Sequence, residues 1–172
     1  MFARMTSLTI IDYDPALAAH FHDINIEWIE EKFVVEPHDR AVLSDPQGHI
    51  IDPGGLILFV AHDGAIIGTA ALMKAEPGVY ELTKMGVRPA VRGLKAGEVL
   101  LREMIARAEA KDDLDTLFLL THSAAEAAIH LYEKVGFTHD AEIMARYGAT
   151  YDRCNVAMRY PLEKGVANGF AA

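Results

Sequence analysis

An apolar, β-prone run from Val79 to Val87 passes through the stretch Arg88-Pro89-Ala90-Val91-Arg92-Gly93-Leu94-Lys95-Ala96-Gly97 into the most regular helical pattern of the chain. In that helix Gly97, Leu100, Leu101, Met104, Ile105 and Ala108 follow the i, i+3, i+4, i+7 rule of one inward face, while Glu98, Arg102, Glu103 and Arg107 face outward. A strand that turns directly into an amphipathic helix lays that helix back over a sheet, and the neighbouring elements must fit this arrangement.

Upstream, Leu8 to Tyr13 reads as a first strand, and Asp14-Pro15 opens a helix with Asp as cap and Pro pre-set for the first turn. Leu17, Phe21, Ile24 and Trp28 share one face of that helix. A second short helix is expected around Asp39 to Ser44, ending at Asp45-Pro46, with Gln47 to Gly55 as a loop. Leu56 to Ala61, Ala65 to Met73 and Val79 to Val87 form an antiparallel meander through the turns His62-Asp63-Gly64 and Glu76-Pro77-Gly78. Downstream, Thr116 to Leu120 is a buried strand, and Ser123-Ala124-Ala125-Glu126 has the spacing of a capping box. Ala124, Ala127, Ala128, Leu131, Tyr132 and Val135 form the buried side of the helix it opens, which Gly136 ends in a left-handed turn. Further strands follow, including Asn155 to Leu162. The order predicts an α/β fold: a single mixed, mostly antiparallel sheet with helices on both faces.

The chain has 172 residues, long enough to bury a core without disulfides or a structural metal. Residues 1–164 are expected to form one domain and 165–172 a loose tail. A net charge of −9 repels phosphate backbones and anionic membranes, so neither nucleic acid nor membrane is expected as a partner, and a homodimer stays open. With no apolar run of membrane-spanning length and no signal-peptide layout at Met1 to Thr6, a cytoplasmic location is expected. The single cysteine, Cys154, falls in an apparent strand and reads as a buried structural thiol. The histidines show no metal-binding spacing, and no metal is expected.

The stretch from Arg92 to Gly97 has the chemistry of an anion cradle: small residues let the backbone approach, N–H groups converge, and the helix start adds positive potential. Taken alone it reads equally as a tight turn in which glycines relieve strain. Arg92, Gly93, Leu94, Lys95, Ala96 and Gly97 resemble the coenzyme A loop of the GCN5-related N-acetyltransferase family, Gln/Arg-x-x-Gly-x-Gly/Ala, with Lys95 at the usual middle glycine. Glu81 to Val87 is similar to that family's splayed fourth strand, and Ala128 to Phe137 to its second signature helix and the strand after it. The resemblance covers roughly residues 56–160 and implies acetyl-CoA as co-substrate and an acetyl-CoA-dependent N-acyltransferase acting on a primary amine of a small molecule or peptide.

Amine acetylation needs a neutral amine, a polarised thioester carbonyl and a proton for the departing thiolate. Glu81, on the strand beside the acyl site, is the candidate base, directly or through water; the alternative is an exposed strand carboxylate. By resemblance, backbone N–H groups near Met85, Gly86 and Val87 would hold the acetyl carbonyl and pantetheine arm, and Tyr132 would be the general acid, its alternative being a core tyrosine. Ser123 reads as a helix cap that, by resemblance, also touches the coenzyme. Lys95, entering a helix, is expected to need no positive φ and to turn its ammonium toward phosphate. Trp28, Glu31 and Phe33 offer aromatic and acidic groups for the amine acceptor. A non-catalytic acyl-CoA-binding module of the same fold is the alternative reading.

Overall fold

The computed structural model describes residues 7–91 and 93–162. Seven strands form one sheet in the order β1-β2-β3-β4-β5-β7-β6: β1 (Leu8–Asp12), β2 (Leu56–His62), β3 (Ala65–Glu76), β4 (Val79–Val87), β5 (Thr116–Thr121), β6 (Thr138–His139) and β7 (Val156–Arg159). Among the described residues only β4 and β5 run parallel. The hairpin between β2 and β3 turns through Asp63 and Gly64, both at positive φ (49° and 83°), as a two-residue turn matched to strand twist requires.

Helices cover both faces. On one, α1 (Ala18–Lys32) and α2 (Pro37–Ser44) pack Phe21, Ile29, Val42 and Leu43 against Phe59 and Ala71. On the other, α3 (Ala96–Glu109) buries Leu100, Leu101, Met104, Ile105 and Ala108 against Leu58, Val60, Leu72 and Leu82, following its sequence periodicity. Asp14 caps a 3-10 turn, Pro15–Leu17, that leads into α1, its carboxylate accepting the Ala16 N–H at 2.8 Å.

Four expectations change. The stretch 47–55 is no simple loop, because Gln47–Ile51 makes a wide helical turn that buries Ile50 completely. Helix α4 begins at Glu126, not at Ser123; Ala124 is exposed outside it, and Ser123 caps nothing but pairs with Asn155, whose amide donates to the Ser123 hydroxyl at 3.2 Å. Helix α5 (Ala141–Tyr147) interrupts the strands expected at the C-terminal end, opened by Asp140, whose carboxylate accepts the Ile143 N–H. Cys154 precedes β7 rather than lying in it and is only partly buried. Residues 165–172, expected as a tail, lie outside the described residues.

Candidate active site

Strands β4 and β5 pair only from Val79 and Thr116 to Leu82 and Leu119. Beyond that point each follows its other neighbour: β4 stays with β3 to Val87, and β5 stays with β7 to Thr121. The parallel strands therefore part, and a cavity of about 610 Å³ fills the opening between Leu82–Val87 and Leu120–His122. The splay coincides with a bulge. Thr69 stands opposite Gly86 and Ala71 opposite Thr83, so β4 carries one extra residue there, and Lys84 takes the left-handed conformation at φ 52°.

One end of the cavity is the start of α3. Lys95, its N-cap, makes no side-chain capping bond, and the N–H groups of Ala96, Gly97 and Glu98 are in the first turn, where no intrahelical acceptor exists. All three residues line the cavity, as does Gly93 at φ 103°, where a β-carbon would meet nothing within 4 Å. This uncapped end of a 14-residue helix fits an anionic group. Lys95 itself is at φ 59°, contrary to the expectation that it needs no positive φ: the position suits glycine, and lysine holds it at a backbone cost of ~1 kcal/mol. It is exposed and forms no ion pair among the described residues. Arg92 lies outside the described residues.

Helix α4 (Glu126–Val135) supplies a wall. Its inner face, read from sequence as core, lines the cavity through Ala127, Ala128, Leu131 and Tyr132. Gly97 fits between walls: a β-carbon there would sit 3.5 Å from Leu131, 3.7 Å from Met85 and 3.9 Å from Val87. Tyr132 stacks edge-on against Phe137, with ring centroids 5.9 Å apart. Burial, and then nearby Cys154, pushes its phenol up to about 12, so the proton stays on it through the neutral range. Burial also pushes the Cys154 thiol up to about 11.

At the other end α1 closes over β4. Trp28 presses on Gly86 so closely that any β-carbon would collide with the indole, and its ring N–H is fixed by Asn25 Oδ1 at 2.7 Å. Phe33 meets His122 edge-to-face at 5.4 Å, and Glu31 stands in the same wall.

Glu81 is not the exposed carboxylate of the alternative reading: it is 4% exposed and lies behind the cavity lining. Burial pushes its carboxyl up to about 7, while the Lys84 charge and the donor hydroxyls of Thr83 and Tyr151 pull it back. Thr83, Lys84 and Tyr151 all line the cavity, so they bridge between it and the carboxylate. Lys84 Nζ donates to Asp39 Oδ1 at 2.7 Å and to Tyr151 Oη at 3.2 Å. Arg153 holds both Asp39 oxygens, at 2.6 and 2.9 Å, and Glu36 at 2.9 Å.

The cavity thus gathers Tyr132, Met85, Gly86, Val87, Gly93, Lys95, Ala96, Gly97, Trp28, Glu31 and Phe33, and leaves Glu81, Leu94 and Ser123 out of its lining. Sequence reasoning missed Thr83, Lys84, Tyr151 and Arg153. The available signal was three polar residues, Glu81, Thr83 and Lys84, inside an otherwise apolar strand; nothing local pointed to Tyr151 or Arg153.

Known proteins resemble this chain in sequence and in fold. The model of the Acetyltransferase (GNAT) family matches residues 21–137. A mycothiol acetyltransferase of Streptomyces avermitilis is 34% identical over 97 residues, which are 55% of this chain and 31% of that protein; the match thus spans about a third of the relative's length. An acetyltransferase of the GNAT family from Staphylococcus aureus superposes with a TM-score of 0.79 at 20% identity, covering 90% of this chain and 98% of that one. A phosphinothricin acetyltransferase from Sinorhizobium meliloti, solved in complex with acetyl-CoA, does so with a TM-score of 0.72 at 21% identity, covering 95% and 92%. With the family model matching most of its length, the chain belongs to the GNAT acetyltransferase family, whose acyl donor is acetyl-CoA.

Proposed function

We propose that the protein is an acetyl-CoA-dependent N-acetyltransferase acting on a primary amine of a small molecule or peptide. The observation that carries this reading is that one cavity runs from an uncapped helix start to the donor groups around a buried carboxylate whose pKa lies near neutrality. An anion cradle and a base tuned to pH 7 are what this reaction needs at its two ends.

Acetyl-CoA supplies a thioester whose carbonyl carbon accepts the amine. The amides of Ala96, Gly97 and Glu98 hold the pyrophosphate, with Gly93 leaving room for its approach. The bulged backbone of Met85, Gly86 and Val87 orients the pantetheine arm and carbonyl, and the close fit of Trp28 on Gly86 keeps that backbone in place. Glu81 takes up the amine's excess proton, and Tyr132 gives its proton to the departing sulfur. Trp28, Glu31 and Phe33 border the acceptor's place.

Free-thiol release measured with acetyl-CoA and a panel of small amines, amino acids, polyamines, aminoglycosides and peptide N-termini tests the reading. Amine-dependent release from at least one class is expected. Acetyl-CoA binding without release from any class would point to an acyl-CoA-binding module instead.

A further inference from the structure

We infer that Tyr151, from the segment between α5 and β7, is the proton relay that joins the acceptor amine in the cavity to the buried Glu81 carboxylate. The inference rests on the amine-acetylation reading above and adds to it the path by which the proton reaches a base that does not itself line the cavity.

Tyr151 is 3% exposed, yet it lines the cavity, and its hydroxyl stands among Glu81, Thr83 and Lys84. Groups from β4, α2 and its own segment hold it in place. From β4, Lys84 Nζ donates to the hydroxyl at 3.2 Å and sits 4.6 Å from the ring centroid, and the Thr83 hydroxyl is 3.4 Å away. From α2, the His38 ring meets Tyr151 edge-on at 5.2 Å, and Asp39 anchors Lys84. From its own segment, Arg153 places its guanidinium 4.8 Å from the ring centroid. A phenol oxygen accepts two hydrogen bonds and donates one. In the relay Lys84 takes one acceptor site, an amine N–H takes the other, and the single O–H turns to the Glu81 carboxylate rather than to the Thr83 hydroxyl.

The transfer balances. The amine arrives as ammonium. Before its nitrogen bonds the acyl carbon, one proton passes to Tyr151 Oη while the Tyr151 proton passes to Glu81, so the tyrosine ends unchanged. The second N–H proton, shed as the amide forms, replaces the one that Tyr132 gives to sulfur. Burial, and then the Glu81 charge, holds the Tyr151 phenol well above its usual range, so it works as a neutral bridge and not as a phenolate. Burial, and then Lys84, holds His38 below the usual histidine range.

The test compares wild type with Tyr151→Phe, using an amine that supports thiol release. Near neutrality kcat/KM should fall by about ten- to a hundredfold, and the deficit should shrink toward unity above the amine's own pKa, where it arrives neutral and needs no base. Acetyl-CoA binding, measured by calorimetry, should stay within about twofold, because the ring and its contacts remain. A deficit equal at every pH, no deficit, or the same pH-dependent loss in Thr83→Val but not in Tyr151→Phe would overturn the relay. A proton inventory on the wild-type protein reads the same step without a variant: two protons in flight give a bowed dependence on deuterium fraction, and a linear one overturns the proposal. If no amine gives thiol release in wild type, it is the acetylation reading that fails, and the relay falls with it.

Discussion

Lys84 and Asp39 form an ion pair at 2.7 Å with side chains 1% and 0% exposed, fastening α2 to the bulge of β4. Burial works to raise the Asp39 carboxyl, but Arg153 and Lys84 together hold it well below the usual carboxylate range. Removing the Asp39 charge leaves the Lys84 ammonium buried without its ion-pair partner. Asp39→Asn should therefore lower unfolding free energy by ~3–5 kcal/mol in denaturant titration. A loss under ~1 kcal/mol would show that the cluster relaxes or hydrates.

Glu81 has the opposite sign. Its folded pKa, about 7, lies above the ordinary 4.5, so the folded state holds the extra proton between those values. Stability from this group is full below the lower value and is lost as pH rises through the upper one, up to ~3 kcal/mol. Glu81→Gln should flatten stability over that window and cut kcat by about 10²- to 10⁴-fold, removing the rise in rate near neutrality. Unchanged pH–stability and pH–rate profiles would place the titrating group elsewhere.

Tyr132→Phe keeps the ring against Phe137 and removes only the proton donor. Single-turnover acetyl transfer should slow by about 10²-fold or more while acetyl-CoA affinity changes little. A near-native single-turnover rate would leave Tyr132 as a wall of the cavity.

Gly97→Ala and Gly97→Glu separate space from charge. A β-carbon at Gly97 meets Leu131, Met85 and Val87 only at ordinary contact distance, so alanine should fold and bind acetyl-CoA nearly as wild type. The glutamate places a bulky anion at the helix start and should abolish binding in calorimetry. Equal binding by both variants would move the pyrophosphate site away from α3.

Lys95→Gly sets strain against charge. Glycine relieves the left-handed backbone at φ 59° but gives the unfolded chain more freedom, so melting temperature should shift little, within ~1 kcal/mol of stability. Acetyl-CoA binding should weaken and lose part of its salt dependence, because an exposed ammonium beside the cradle is gone. Tighter binding at both low and high salt would mean that the side chain crowds the coenzyme.

Ordered by reach along the chain, what was legible in sequence is clear from single elements. The inward stripe of α3, the left-handed stop at Gly136 (φ 117°) and the extent of β4 all appear as read, because each depends on residues within a turn or two of one another. Ser123 shows the limit of local spacing. Its capping-box pattern is present, but Asn155, 32 positions away, takes both its hydroxyl and its N–H. Helix α5 had a readable signal in Asp140 followed by Glu142, obscured by the short β6 just before it.

The sequence by itself determined β1 to β5, the inward face of α3 and the position of the helix-start loop after β4, because periodicity and caps act over a few residues. Only the tertiary structure decided the chemistry of the acceptor end. Glu81, Lys84, Asp39, Tyr151 and Arg153 come from three separate parts of the chain, with Lys84 contacting partners 45 and 67 positions away. Whether Glu81 is an ordinary surface carboxylate or a base tuned to about 7 depends on its removal from water by α1, α2 and the segment before β7, and desolvation is a property of the packed assembly rather than of any stretch of sequence.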